Sequence, residues 1–247
     1  MKATLKPILV KISLLSLFLT VLVSSLDAQT VLLKRETERD TIERKFGKNK
    51  KFYAGLFLGY GFVVGKETPG LPIQYGNSSE LVVGIWGKRK LNSHFSFVPE
   101  LAFRAQWFRI AQNSSKTIPD TFQYELERYT FPTFNANAYI RYNFKAHKGN
   151  HFGTYLDVGA GINLPVWERH RRVIDDKSNN NEVVVIRKNL QYIQPIQVTA
   201  NVRLGYRRWS VYGTYRLTDI FKQDKGKEIF NQTIDLPPVM VGVMVMI

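Results

Sequence analysis

At 247 residues, with no cysteine and a formal net charge of +15, the chain suits one domain with a short extension. The lack of cysteine excludes disulfides, thiolate metal sites, cysteine nucleophiles and acylation on cysteine. No nucleic-acid-binding motif accompanies the positive charge, so nucleic acid is not an expected partner, and anionic lipid headgroups match the charge better.

Residues 1–28 have the order of a secretory signal peptide. Three lysines lie in the first 11 residues, an almost wholly apolar run follows at 12–23, and the residues before Gln29 are mostly small or polar. This order predicts cleavage after Ala28. An uncleaved anchor is the alternative, but the apolar run is short against the roughly 20 residues of a helical span. Without residues 1–28, which hold three lysines and one aspartate, the charge is about +13.

The segment 29–51 is polar and rich in charges of both signs. It contains nothing that resembles a membrane strand. We predict that it is a periplasmic N-terminal leader, with one short amphipathic helix as the alternative.

From Phe52 onward the sequence alternates with a period of two, which indicates strands. In the clearest segment, 151–167, one parity is continuously apolar from Phe152 to Val166 and the other holds small, polar or aromatic residues. This segment exceeds the roughly 9–11 residues that a transmembrane strand needs. The eight predicted strands are 53–64, 81–87, 95–109, 130–144, 151–167, 196–206, 209–217 and 239–247.

The links between these segments alternate in length. Links after the second, fourth and sixth strands are short, and those after the first, third, fifth and seventh are long, at 65–79, 111–121, 168–190 and 222–233. Outer-membrane barrels have short periplasmic turns, long external loops and periplasmic termini. Aromatic residues also cluster at strand ends, as in interfacial girdles. Those at the predicted periplasmic rim are Tyr142, Phe144, Phe152, Tyr206 and Trp209, and those toward the outer rim are Tyr192 and Tyr215.

Four segments resemble the small outer-membrane barrels of Bacteroidota, which include the PorT-like family and, more distantly, OmpA-type barrels. They are FYAGLFLGYG (52–61), FVPEL (97–101), YTFPTFNANAYIRYNF (129–144) and YLDVGAG (155–161). The chain departs from the common pattern at Ile247, where many such barrels end in an aromatic residue. The resemblance implies a cell-envelope barrel of a Gram-negative bacterium, with a role in envelope maintenance or protein secretion.

Charged residues lie on the parity opposite to the apolar faces. Hairpin register places Asp157 near Arg141 on the preceding strand and near Arg203 on the following one. Because an unpaired buried charge is very costly, and because eight strands leave room only for side chains, these charges predict a closed lumen rather than a small-solute porin. The predicted polar network of the lumen comprises Glu100, Arg104, Arg141, Asp157, Arg203 and Arg216.

Basic residues in two of the predicted external loops are candidates for contact with lipopolysaccharide phosphates, because arginine and lysine pair readily with phosphate. Acidic neighbours make ordinary loop solvation an equally good interpretation. The candidate residues are Arg169, Arg171, Arg172, Lys222, Lys225 and Lys227.

A lipid-modifying enzyme of the outer leaflet is the main alternative class, since such barrels use a serine or histidine with a carboxylate. Only His170, in the run ERHRR (168–172), falls in a predicted external loop. A solvated charged loop is the preferred interpretation of this run, and neither a nucleophile elbow nor a zinc-binding helix motif is present.

The sequence therefore predicts an all-β protein: a transmembrane antiparallel up-and-down β-barrel over residues 52–247, non-catalytic and without a cofactor or metal. Both termini are predicted to be periplasmic. A structural, adhesive or secretion-accessory role is favoured over transport. The expected partners are outer-membrane lipid, lipopolysaccharide and envelope or secretion-machinery proteins, contacted through the leader and the charged loops.

Overall fold

The computed structural model describes residue 48 and residues 50–145, 151–176, 181–188, 190–230 and 234–247. The predicted signal peptide and nearly all of the predicted leader lie outside the described residues. Within the described part, no helix has both the length and the apolarity needed to cross a membrane.

The described residues form ten strands and one α-helix, with a short 3-10 turn at Tyr75–Asn77. The elements in chain order are β1 (Phe52–Val64), β2 (Ser79–Lys90), β3 (Phe95–Arg109), β4 (Leu126–Asn143), β5 (Thr154–Pro165), β6 (Arg169–Asp176), β7 (Asn181–Lys188), β8 (Gln197–Tyr206), β9 (Trp209–Arg216), α1 (Gln223–Phe230) and β10 (Val239–Met246).

Eight of these strands close into a barrel. Antiparallel pairs run in the order β3-β2-β1-β10-β9-β8-β5-β4, and pairing of β3 with β4 completes the ring. Closure gives every wall strand a partner on both sides, so the ring has no edge with unpaired backbone groups. The prediction of a closed antiparallel barrel with eight strands is confirmed.

The two remaining strands, β6 and β7, form a hairpin where the sequence analysis predicted an irregular charged loop, and that prediction was wrong. β6 pairs with the first five residues of β4, Leu126 to Thr130, and β7 pairs with β6 alone. The consecutive β-branched residues 183–186 favour a strand. β4 also begins four residues before the predicted start at Thr130, which gives β6 an edge to join.

The predicted loop at 222–233 also contains regular structure, because α1 occupies Gln223–Phe230. One face of this helix is anchored by Phe230, whose ring packs against Tyr192 and Phe221. Tyr192 is therefore part of a packed cluster, and the prediction that it belongs to an outer aromatic girdle was wrong.

Outward side chains of the wall are apolar and exposed, whereas inward ones are buried. Along β4, for example, every odd-numbered position from Glu127 to Asn143 is buried and the even-numbered positions are accessible. At the end with short links the exposed aromatic side chains are Phe52, Phe95, Tyr142, Phe144, Tyr206 and Trp209.

Phe152 is an exception to the predicted rim, and the prediction that it faces outward was wrong. Gly153 has a φ of +70°, a conformation that glycine adopts at little cost, and β5 begins only after it. The chain therefore turns before the strand, and the Phe152 ring lies inside against Trp86 and Tyr53.

Two apolar clusters occupy the interior. One, built around Trp86, Phe152, Tyr155 and Met246, fills the barrel toward the end with short links. The other covers the opposite end and takes residues from all four long links, which fold over the barrel. Its members from those links are Leu71, Ile73, Ile118, Leu190, Ile193, Ile220, Phe221, Ile234 and Leu236.

Candidate functional site

A buried ionic network crosses the barrel among the residues of the Trp86 cluster. Asp157 on β5 stands opposite Arg141 on β4 and opposite Arg203 on β8. Its Oδ1 accepts a hydrogen bond from Nε of Arg141 at 2.7 Å, and its Oδ2 accepts one from Nε of Arg203 at 2.9 Å. Nη1 of Arg203 extends across the interior to Oε2 of Glu100 at 3.0 Å. The structure thus brings four of the six residues predicted for the lumen into one chain of ion pairs.

Aromatic rings and amides complete the surroundings of this network. The guanidinium of Arg141 lies 3.7 Å from the ring centre of Tyr155, and that of Arg203 lies 4.5 Å from the ring centre of Tyr139. Asn137 donates to Oε1 of Glu100 at 3.0 Å. Neighbouring rings and amides therefore hold the charged groups of the network in place.

A second ion pair joins Arg104, a predicted lumen residue, to Glu80, which the sequence analysis missed. Nη1 of Arg104 lies 3.2 Å from Oε2 of Glu80, and the hydroxyl of Tyr212 donates to Oε1 of Glu80 at 2.8 Å. The predicted strand began at Leu81, one residue after this carboxylate. The alternation continues back to Ser79, and it is the signal that would have found Glu80.

The sixth predicted lumen residue, Arg216, lies apart from the network. Its Nη2 contacts Oδ2 of Asp235 at 2.7 Å. Asp235 also accepts a hydrogen bond from the amide of Ile220 at 2.8 Å. Through Asp235, Arg216 therefore connects two parts of the link between β9 and β10 at the end of the barrel. It does not take part in the ion pairs of the interior.

A cluster centred on Glu127, which we call the cap cluster, ties the hairpin to the wall. The Glu127 carboxylate, 0% exposed, contacts Nζ of Lys116 at 2.8 Å and Nε2 of His170 at 2.8 Å. Nε of Arg172 approaches it at 3.1 Å, and Nη1 of Arg172 reaches Asp120 at 3.1 Å. The link between β3 and β4 is thereby joined to β4 and β6.

The ionisation of the cap cluster follows from these contacts. Burial by itself raises the pKa of Glu127, but hydrogen bonds from His170 and Lys116 and the positive charge of Lys116 outweigh it and lower the pKa to about 2. Burial lowers the pKa of His170 below its usual value, although Glu127 opposes this shift. Glu127 is therefore ionised at neutral pH and His170 is neutral.

His170 is in no position to act on a lipid. Its side chain is 3% exposed, and its Nε2 is bonded to Glu127. Its ring stacks on Tyr129 with a centroid separation of 4.0 Å. The interpretation of the run 168–172 as a solvated loop was wrong for this residue, which is a packed member of the cap cluster.

The predicted phosphate-contacting residues have different positions in the structure. Arg172 turns inward into the cap cluster, where its guanidinium contacts Glu127 and Asp120. Arg169 is exposed and Arg171 is half-buried, both on the outward face of β6. Lys222 donates to the carbonyl of Gln191 at 3.1 Å. Lys225 is exposed on α1, and the side chain of Lys227 lies outside the described residues.

No protein-family model matches the sequence, and no curated protein is similar to it at a significant level. Among solved structures, the chain is similar to Ail, the attachment invasion locus protein of Yersinia pestis, solved in complex with the heparin analogue sucrose octasulfate. The two share 10% sequence identity over 78% of this chain and 94% of Ail, with a TM-score of 0.32. The functional argument therefore depends on the side chains of this chain.

Proposed function

We propose that the protein is a non-catalytic, integral outer-membrane barrel with a closed interior, which presents the β6–β7 hairpin outside the cell as a surface for a protein partner. The observation that carries the proposal is the combination of an ion-paired interior with an unpaired strand edge beyond the barrel. The role is adhesive or structural, and transport is not part of it.

The outward faces of the barrel support the membrane location. Large apolar side chains that are about half exposed occur on all eight wall strands, including Leu56, Ile85, Ile140 and Val202. A patch of this extent is unusual on a soluble monomer. Short links at one end and long links at the other match the periplasmic and external ends of an outer-membrane barrel. The short-link end also holds the start of β1 and the end of β10, so we place both termini in the periplasm.

The interior supports the exclusion of transport. The ion pairs of Asp157, Arg203 and Glu100 extend across the barrel among the residues of the Trp86 cluster, and the second apolar cluster covers the end with long links. A water-filled path would have to separate buried ion pairs, and each broken pair leaves an uncompensated charge. The same contacts argue against the alternative that the protein is a small-solute porin.

The β6–β7 hairpin supports the partner-binding role. Residues 183–186 of β7 are four consecutive β-branched side chains, all exposed by 39–49%. No described strand pairs with the other edge of β7. An exposed edge with apolar side chains accepts an extended segment of another protein, whose backbone adds a strand and whose side chains pack on the sheet.

Site-specific photo-crosslinking tests this role. We expect a photoreactive residue at Val185 to form adducts with an external protein, and one at Arg208, in the turn at the short-link end, to form none. Replacing Val183 with lysine should weaken the adduct from position 185, because charge on an edge strand opposes strand addition. Gel migration before and after heating verifies that each variant is folded.

The same experiment separates the adhesive role from the secretion-accessory role that the PorT-like resemblance implies. A secretion accessory would be contacted from the periplasm as well. Adducts with periplasmic or secretion-machinery proteins at position 208, and none at position 185, would overturn the proposal in favour of that role.

A further inference from the structure

Five cations lie together on the outward face of the sheet, where the outer ends of β3 and β4 meet the base of the β6–β7 hairpin. Arg109 on β3, Arg128 on β4 and Arg171 on β6 stand directly opposite one another in the sheet register. One step toward the middle of the barrel, Arg169 on β6 and Lys188 on β7 are also paired in register. We call these five residues the arginine row.

The arginine row lacks compensating charge within the protein. Like charges directly opposite in a sheet are destabilising, yet none of the five has a carboxylate within 4.0 Å among the described residues. Glu125 is near in sequence and exposed, but no ion pair joins it to the row. Nε of Arg128 is buried without a hydrogen-bond partner in the described part of the chain. An anion bound from outside would compensate the positive charge of the row and would accept a hydrogen bond from Nε of Arg128.

The row lies at the boundary of the apolar wall. Trp107 stands in register with Thr130 one step below Arg109 and Arg128, and Trp167, between β5 and β6, is 57% exposed. Two steps further toward the middle, Phe103 and Phe134 pack edge to face on the outward surface. Cations directly above an aromatic and apolar surface match the headgroup level of a membrane, where phosphate lies above acyl chains.

We infer that the arginine row binds the phosphates of an outer-leaflet glycolipid of the lipid A type, with its acyl chains along the aromatic surface below. The inference deepens the proposed function by naming a lipid ligand, and it rests on the proposed membrane location. Guanidinium groups suit this ligand because each donates two parallel hydrogen bonds to phosphate oxygens. An acidic protein is a weaker match, since the row faces sideways at membrane level and not outward from the cap.

Native mass spectrometry of the folded protein in an uncharged detergent tests the inference, with bisphosphorylated lipid A as the probe. The test variant is Arg109→Gln with Arg128→Gln and Arg171→Gln. The control removes three exposed charges at the short-link end, through Lys51→Gln, Arg89→Gln and Arg208→Gln. Heat-dependent gel migration verifies that both variants are folded before binding is measured.

We expect the wild type and the control to retain lipid A and the test variant to bind it at least about tenfold more weakly. Lipid A without phosphates should bind the wild type as weakly as bisphosphorylated lipid A binds the test variant. If the test variant binds lipid A as tightly as the wild type does, the inference is overturned. This holds even if the variant has lost binding to a soluble polyanion such as polyglutamate. Equal competition by millimolar inorganic phosphate and by lipid A would overturn it too, because the acyl chains would then contribute nothing.

Flotation of the wild type with lipid vesicles separates the two proposals. Failure to float contradicts the membrane location itself. Flotation together with unchanged lipid A binding by the test variant contradicts only the arginine row as the site.

Discussion

Replacing Asp157 with asparagine should lower the free energy of unfolding of the barrel by about 3–5 kcal/mol, the range for removing one partner from a buried ion pair. Among the described residues, Asp157 is the only carboxylate within 4.0 Å of Arg141, and it is shared with Arg203. Asparagine keeps the size of the side chain but removes the charge, so Arg141 is left buried without a carboxylate. Glu100 still balances Arg203, which limits the loss to one uncompensated charge.

Urea-dependent unfolding in detergent micelles, followed by gel migration, measures this effect. Asp224→Asn on the exposed face of α1 is the matched control and should leave the midpoint unchanged. Replacing Arg141 with methionine in the Asp157→Asn variant should recover part of the lost stability, since an apolar side chain needs no partner. A midpoint for Asp157→Asn equal to that of the wild type would contradict the assignment of Asp157 as the centre of the network.

Replacing Glu127 with glutamine should open the cap without unfolding the barrel. Lys116, whose side chain is 0% exposed, loses its close carboxylate, and Asp120 at 3.4 Å is the carboxylate that it retains among the described residues. We expect the opening free energy of the β6–β7 hairpin to fall by about 3 kcal/mol, the lower end of the range for a buried pair, because Arg172 keeps Asp120. Limited proteolysis of the hairpin should therefore become faster by roughly a hundredfold.

Acid should reproduce the opening of the cap in the wild type. The pKa of Glu127 is lowered from its ordinary value of 4.5 to about 2 in the folded protein. Its contribution is therefore complete above pH 4.5 and is lost as the pH falls from 4.5 through about 2. Proteolysis by an acid-stable protease should accelerate over this range in the wild type and much less in Glu127→Gln. Glu125→Gln, exposed two residues away, is the control and should behave as the wild type.

The period-two alternation explains why the strands of the barrel wall could be predicted from the sequence. One face of each wall strand contacts apolar surroundings, and the other face packs inside the barrel. The apolar parity and the length of each strand can therefore be predicted from the sequence of that segment alone. A short turn nearly fixes the register of the hairpin that it joins, and the short link between β4 and β5 therefore indicates that Asp157 lies near Arg141. Arg203 follows the long link after β5, which does not fix the register in this way.

The cap could not be predicted in the same way, because its contacts join segments that are distant in sequence. Glu127 meets Lys116 from one link and His170 from the next hairpin, and no local pattern marks such a meeting. The run of charges around His170 has the composition of a solvated loop. His170 within this run is buried because β4 extends beyond the wall and gives β6 an edge to join.

The arginine row shows a third limit. Arg169 and Arg171 stood out in sequence because they are adjacent to other charges, whereas Arg109 and Arg128 are single residues at strand ends. Their proximity follows from the register of β3, β4 and β6, so it appears only once the strands are paired.

The central claim is that ion pairs and apolar clusters close the interior, so the protein does not conduct. Single-channel recording of the wild-type protein in planar lipid bilayers tests this claim most directly, with insertion verified by protease protection. The ion pairs of Asp157 and the cap above them predict no steady conductance steps at moderate voltage and neutral pH. Steady, large and uniform steps would contradict a closed barrel.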